Sequence, residues 1–243
     1  MLVIDKVMTQ FITPQELFGG RYQTVVELMA AHSPFPRAQS DAYRQEAKIR
    51  AARIHLDETV FFAQVVYNDL KPQRAVELCA GFGIPSITLA KLYGLTPVCV
   101  DTDDKKMEIG AIIADTTGVV FSQAHTDLFI YLRKNAPALR ESTLLATAAY
   151  CRDKKKGRPA GSGEKDIVQF ARTHRLNVAI LPFRSGDILK SGVSSEKVRI
   201  KAYRELLEKA GFVTRSHSTE PLFRGQGAPD WFFLDILTAA CGA

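Results

Sequence analysis

The chain has 243 residues, of which 46% are hydrophobic and 24% are charged, as in an ordinary globular protein. This length suits one well-buried α/β domain with an accessory segment. The formal net charge of +6 suits a phosphate-bearing partner, but many enzymes of small molecules share it, so charge excludes neither class. No apolar run approaches the roughly 18 residues of a membrane span, and the start of the chain lacks the pattern of a signal peptide. We therefore expect a cytoplasmic location and no membrane partner.

The four cysteines are scattered along the chain at Cys79, Cys99, Cys151 and Cys241. They form no C-x-x-C pair, and no histidines cluster near them at ligand spacing. This pattern argues against a disulfide framework and a structural zinc site, and we predict no metal site. Cys79 and Cys99 fall within apolar runs that are typical of strands, where a thiol packs as a small hydrophobe.

The first 70 residues are predicted to be helical. Thr13 is a candidate N-cap, with Pro14 at the first helical position and Glu16 completing a capping box. Apolar residues then recur at helical spacing from about residue 40 to residue 69. We predict that residues 1–70 form a helical cap, or lid, over a site in the rest of the chain.

From residue 71 onward, short apolar runs alternate with helical patterns. Five units of strand then helix indicate a parallel sheet with helices on both faces, hence a doubly wound α/β fold for residues 71–243. The last two strands follow each other without a helical pattern, which predicts an antiparallel hairpin at a sheet edge. The seven predicted strands are "AVELCA", "TPVCVD", "VVFSQA", "TLLATAAY", "LNVAILPF", "FVTRSHS" and "DWFFLDIL".

The first strand leads into a glycine turn, in the stretch "VELCAGFGIPSITLA". Gly81 and Gly83 let the backbone bend sharply and let a ligand approach, and the helix that follows presents free N–H groups. Asp101 ends the second strand, where an acid can accept both hydroxyls of a ribose. These features predict an adenosine-containing ligand. The alternative is that the glycines serve only the turn and that Asp101 caps the next helix.

Two residues disfavour a dinucleotide at this turn. The fingerprint G-x-G-x-x-G would require glycine at position 86, where the chain has Ser86. Glu77, inside the strand, places a negative charge where a pyrophosphate binder would avoid one. An acid at this position suits a cationic group such as an amine or a sulfonium.

The stretch "ELCAGFG" resembles motif I of class I S-adenosylmethionine-dependent methyltransferases, and the resemblance extends from about Arg74 to Leu237. It implies a Rossmann-like fold, S-adenosylmethionine as cofactor and transferase activity. Within that family Glu77 and the glycines would border the methionine part, and Asp101 would hold the ribose. Asp127 would meet the adenine, unless it serves only as an acid at a helix N-terminus. The cofactor-binding residues implied are Glu77, Gly81, Phe82, Gly83, Asp101, Thr102 and Asp127. Cys79 stands where most members carry the first glycine of the motif.

The acceptor is expected beyond the carboxyl end of the fourth strand, next to Tyr150. The Asn/Asp-Pro-Pro-aromatic signature of many amine methyltransferases is absent there, as is the cysteine motif of cytosine C5 enzymes. Tyr150, through its hydroxyl or its ring, and His125, as a base, are the predicted catalytic residues. For each the alternative is a structural role.

Four functions remain open from the sequence. The first is a methyltransferase that acts on a small molecule. The second is an enzyme of the same fold that uses the aminobutyrate arm, by cyclisation to azetidine-2-carboxylate or by aminobutyrate transfer, and releases methylthioadenosine. The third is an RNA methyltransferase guided by the basic loop at residues 152–165, which contains Lys154, Lys155 and Lys156. The fourth is a cofactor-binding scaffold that activates a partner chain.

Overall fold

A computed structural model describes residues 11–32, 41–147, 162–181, 195–223 and 235–242. The helices are α1 (Pro14–Phe18), α2 (Tyr22–Ala31), α3 (Asp41–Leu70), α4 (Ile84–Tyr93), α5 (Asp104–Thr117), α6 (Leu128–Asn135), α7 (Ser162–His174), α8 (Ser195–Lys209) and α9 (Glu220–Phe223). The strands are β1 (Arg74–Leu78), β2 (Val98–Asp101), β3 (Ser122–His125), β4 (Ser142–Thr147), β5 (Asn177–Leu181), β6 (Phe212–Ser218) and β7 (Asp235–Cys241). Among the described helices, none has the length and hydropathy needed to cross a bilayer.

The seven strands form one sheet in the order β3-β2-β1-β4-β5-β7-β6. The pairs from β3 to β5 are parallel, whereas β7 runs antiparallel to both of its neighbours, β5 and β6. The predicted α/β fold with an antiparallel C-terminal hairpin is therefore confirmed. In parallel strands of this kind, the carboxyl ends of β1, β2, β3 and β4 share one edge of the sheet, where ligands bind in doubly wound folds.

Helices cover both faces of the sheet, and β1 shows why. Val76 and Leu78 are buried in a cluster with residues of α6, α7 and α8. Ala75, on the opposite face, joins a cluster with α3 and α4. Because side chains alternate along a strand, Glu77 also points to the α3–α4 face.

The N-terminal helices pack against the sheet layer. The predicted capping box at Thr13 and Glu16 is present. Ahead of it, Gln64 of α3 donates to Ile12 O and accepts from Ile12 N, both at 2.8 Å. At the other end of α3, Asp69 accepts a hydrogen bond from Thr238 Oγ1 at 2.5 Å and lies 2.7 Å from His217 Nε2. Helix α3 is therefore fixed to β6 and β7 through polar contacts.

The direction of α3 brings its first half to the carboxyl edge of the sheet. Phe62 shares a cluster with Leu181, the last residue of β5, and Ile236, near the start of the antiparallel β7. The residues before Phe62 therefore extend beyond that edge. There Leu56 and Val60 join Phe82 of the glycine turn in a second cluster, together with residues of α1 and α2.

Three predictions about elements need correction. A four-residue helix, α9, lies between β6 and β7, where none was predicted. Strand β7 extends to Cys241 rather than ending at Leu237, because Val213 and Phe212 of β6 pair with Ala240 and Cys241. Strand β1 ends at Leu78, so Cys79 lies in the turn and not in a strand.

Candidate functional site

The glycine turn joins β1 to α4 at the carboxyl edge of the sheet. Gly81 and Gly83 have φ values of +55° and +68°, in the left-handed region that favours glycine. A Cβ added to Gly83 would lie only 2.9 Å from Cys99 Sγ. Gly83 is also the N-cap of α4 and contributes no side-chain cap. The N–H groups expected to be free at this helix start are partly absent or used, since Pro85 has no N–H and Ser86 N donates to Glu77 Oε2 at 3.0 Å. Gly83 therefore allows the turn to pack closely on β2, whereas among the described residues only the Lys106 side chain borders the space beside Gly81, at 3.7 Å from an added Cβ.

Asp101, the last residue of β2, lies next to this turn. Its Oδ2 accepts a hydrogen bond from Gly81 N at 2.8 Å, and its Oδ1 accepts from Thr102 N at 2.6 Å and Asp103 N at 3.0 Å. Asp103, not Asp101, caps α5, since its Oδ1 accepts from Lys106 N at 3.2 Å. The alternative interpretation of Asp101 as a helix cap is therefore wrong, and its carboxylate instead fixes the turn.

Glu77 lies beneath the turn, fully buried. Its Oε2 accepts hydrogen bonds from Ser86 N at 3.0 Å and Ser86 Oγ at 2.6 Å, while Oε1 is buried without a hydrogen-bond partner. Burial raises the pKa of Glu77 to about 8, against the Ser86 hydrogen bonds, which lower it. Ser86, whose place in the sequence spoke against a dinucleotide, is thus the residue that binds this acid.

Phe82 and Thr102, two of the predicted cofactor-binding residues, have different environments at the turn. The Phe82 side chain is 9% exposed and packs in the cluster that contains Leu56, Val60 and residues of α1 and α2. Phe82 O lies only 2.6 Å from a Cβ added to Gly110 of α5, so the turn also fits closely against that helix. Thr102 is exposed and gives its backbone N–H to Asp101. A contact of either residue with a cofactor stays a prediction.

Cys79 has a φ of +57°, in the left-handed region that is unfavourable for a residue with a Cβ. It directly follows β1, at the position where the resembled family carries glycine. Cys79 therefore adopts a backbone conformation that a glycine would adopt without strain.

Two other predicted residues lie at the edge strand β3. Asp127 is the N-cap of α6, accepting from Phe129 N at 2.9 Å, and its contact with adenine stays a prediction. His125 is exposed, and its Nδ1 lies 2.8 Å from Asp104 Oδ1. Tyr150 lies outside the described residues, as do Cys151 and most of the basic loop.

His125, at the end of β3, lies far from the end of β4 along the carboxyl edge of the sheet. Strands β2 and β1 lie between β3 and β4. Three strand spacings of about 4.8 Å place these ends about 14 Å apart. Because His125 pairs in register with Asp101, it lies beside the residue predicted to hold the ribose, and a single small acceptor would not span both ends.

Sequence reasoning missed the polar residues of α3 near the turn. His55 is half-buried and Glu58 is 3% exposed, and both lie on the part of α3 that extends past the sheet edge. Burial and, secondarily, the positive charge of Lys106 lower the pKa of His55 to about 4. Lys106 itself lies at the turn, with its Cδ 3.7 Å from a Cβ added to Gly81. The available signal was a pair of polar residues interrupting an otherwise apolar helical face.

These residues fit a nucleoside that carries a cation. Gly81 leaves room beside the backbone, Asp101 provides a fixed carboxylate, and Glu77 provides a buried oxygen without a hydrogen-bond partner. A pyrophosphate would bring negative charge to the carboxylate of Asp101, whereas S-adenosylmethionine would bring a ribose to Asp101 and positive charge, which favours ionisation of Glu77.

Comparison with solved structures gives matches over most of the chain at low sequence identity. A protein from Klebsiella pneumoniae that has been assigned as an O-methyltransferase matches at 12% identity and a TM-score of 0.54, covering 90% of this chain and 88% of that one. A methyltransferase from Pyrococcus furiosus matches at 10% identity and a TM-score of 0.51, covering 76% and 83%. The cofactor-bound protein Rv0187 from MTB matches at 13% identity and a TM-score of 0.51, covering 90% and 88%.

No protein-family model matches the chain, and no curated protein matches it. At these identities the matches show the fold alone. The chain therefore has the Rossmann-like fold of class I S-adenosylmethionine-dependent methyltransferases, the fold that its glycine motif predicted.

Proposed function

We propose that this chain is an S-adenosylmethionine-dependent methyltransferase that acts on a small molecule. The observation that carries the proposal is the hydrogen bond from Gly81 N to Asp101, which joins the glycine turn to the acid that ends β2. The fold supports it, because methyltransferases are among the structures that share this sheet. Glu77 supports it further, because a buried acid under the turn favours a cationic ligand over a pyrophosphate.

The chain's part in such a reaction is to bind, orient and exclude water. Gly81 and Gly83 would hold the cofactor against the turn, and Asp101 would accept its ribose hydroxyls. When bound, S-adenosylmethionine supplies a methyl group on a sulfonium, which a nucleophile attacks in line. Holding the acceptor in that line can supply much of the rate acceleration, and a closed site keeps water away.

The acceptor would lie between the first half of α3 and the carboxyl end of β4. His55 is our candidate for contact with the acceptor there, because its pKa, lowered to about 4, keeps the imidazole neutral and able to accept a hydrogen bond, although it makes the group a weak base. This assignment adds His55 to the predicted catalytic residues Tyr150 and His125. The packing of α1, α2 and α3 around Phe82 favours a small acceptor, since these helices cover one side of the turn.

The aminobutyrate reaction is the second candidate, and the same fixed turn supports it. It uses the same cofactor and differs only in which carbon of the sulfonium is attacked. RNA methylation depended on the basic loop, which lies almost wholly outside the described residues, and no described contact favours it.

Two measurements test the proposal. Isothermal titration calorimetry with S-adenosylmethionine and S-adenosylhomocysteine should detect binding of both, and Asp101→Ala should weaken both. Mass spectrometry of the cofactor after incubation with cell extract should detect S-adenosylhomocysteine. Methylthioadenosine as the product would favour the aminobutyrate reaction instead, and absence of binding would refute the cofactor assignment.

A further inference from the structure

Glu77 is a buried acid whose charge the chain leaves unbalanced. Its Oε2 is occupied by the two Ser86 donors, and the Cys99 thiol lies 3.9 Å from the same oxygen. Its Oε1 has no hydrogen-bond partner, and no lysine, arginine or histidine among the described residues pairs with it. An ionised carboxylate without a partner costs free energy to bury. Burial therefore favours the protonated form of Glu77.

None of the described groups around Glu77 on β2, β4 and α5 provides a positive charge that would neutralise an ionised Glu77. On β2, Asp101 adds a second negative charge, and burial raises the pKa of the Cys99 thiol, which stays neutral. On β4, the register partner of Glu77 is the apolar Leu145. On α5, Lys106 lies at the turn, but its ammonium is 3.3 Å from Asp103. An ionised Glu77 therefore favours the arrival of an external cation.

We propose that Glu77 senses the charge of the cofactor: it releases its proton to solvent more completely when S-adenosylmethionine binds than when S-adenosylhomocysteine binds. The inference rests on the proposed function for the identity of the ligand. The two ligands share an ammonium and a carboxylate, and they differ by the positive charge of the sulfonium. A positive charge near a buried carboxyl favours its ionised form. The site therefore binds the substrate form of the cofactor more tightly than the product form.

This change in the protonation of Glu77 would also assist turnover. Methyl transfer removes the sulfonium charge, which leaves the ionised Glu77 beside a neutral thioether. Uptake of a proton from solvent then restores the neutral acid, and the electrostatic attraction between Glu77 and the product is weaker than that for S-adenosylmethionine. Release of S-adenosylhomocysteine is thereby coupled to the chemical step.

Calorimetry in two buffers tests the inference directly. Titrations of each ligand in phosphate and in Tris, whose ionisation enthalpies differ, report the protons released on binding. We expect more proton release with S-adenosylmethionine than with S-adenosylhomocysteine near pH 7. The affinity for S-adenosylmethionine divided by that for S-adenosylhomocysteine should rise with pH, by up to about tenfold per pH unit between pH 6.5 and 7.5. An analogue with an ammonium in place of the sulfonium should behave as the substrate does.

Two variants assign the effect to this side chain. Glu77→Gln keeps an acceptor for Ser86 but does not titrate, so the two ligands should release equal numbers of protons and their affinity ratio should not change with pH. Ser86→Ala keeps the carboxyl and should keep the difference between the ligands. Equal proton release by both ligands in the wild type overturns the inference even if no variant folds, as does an unchanged difference in Glu77→Gln. Failure of both ligands to bind overturns the proposed function as well.

Discussion

Replacing Gly83 by alanine tests whether the turn depends on the space and backbone angle that glycine provides. Gly83 has a φ of +68°, and an added Cβ would lie 2.9 Å from the sulfur of Cys99, a fully buried residue of β2. The left-handed backbone costs an alanine roughly 1–2 kcal/mol. Overpacking against a fixed neighbour costs about 1–3 kcal/mol more. We therefore expect Gly83→Ala to lower the free energy of unfolding by about 2–5 kcal/mol.

Gly118 provides a matched control. It follows α5 with a φ of +67°, but an added Cβ would meet nothing within 4 Å. Gly118→Ala should therefore cost only the backbone term of roughly 1–2 kcal/mol. The difference between the two variants isolates the contact with Cys99. Introducing Gly83→Ala into a Cys99→Ala background should recover that difference, because the sulfur is gone.

Urea denaturation followed by circular dichroism measures these free energies, and calorimetry with S-adenosylhomocysteine measures the effect on the site. Gly83→Ala should also weaken binding, whereas Gly118→Ala should not. Equal destabilisation by the two substitutions would refute the close contact at Gly83. So would a double variant that loses as much stability as the sum of the two single variants.

Three further predictions concern single side chains. Because the pKa of Glu77 is raised to about 8, native protein holds this proton to higher pH than unfolded chain; stability should fall from about pH 5 to pH 8, by at most about 1.4 kcal/mol per pH unit. Glu77→Gln should remove this component from urea-denaturation curves, and parallel curves for the two proteins would contradict it. Phe82→Ala should cost about 3–5 kcal/mol and increase hydrogen exchange in α2 more than in α8; a uniform increase would argue against a local role. His55→Asn should raise the KM for the acceptor by up to about tenfold, the loss of roughly one hydrogen bond, while calorimetry finds unchanged S-adenosylhomocysteine affinity; weakened cofactor binding would place His55 at the cofactor instead.

The glycine turn was predictable because its conformation is determined locally. Gly81 and Gly83 supply positive φ values, and Pro85, which has no N–H to leave unpaired, lies in the first turn of α4. Cys79 was not predictable in this way: its apolar surroundings indicated a strand, whereas it lies in the turn with a φ of +57°.

The relation between distant segments was not predictable in the same way. Glu77 and Ser86 are nine residues apart, and only the packing of α4 on β1 brings the serine to the acid at 2.6 Å. His55 lies in a helix whose periodicity indicates burial but not which neighbour it meets. Its place near Lys106 follows from the direction of α3 across the sheet edge, which depends on tertiary packing.

The packing of Phe82 connects the turn to the first part of the chain. Its side chain is buried among residues of α1, α2 and α3, while its carbonyl lies against the bare Cα of Gly110. The main chain on either side is held by Asp101 at Gly81 and by the close fit of Gly83 to Cys99. The turn thus has little freedom to move without displacing a helix. We infer that α1, α2 and α3 act as a wall that shapes the site, and that displacing these helices would also displace the turn.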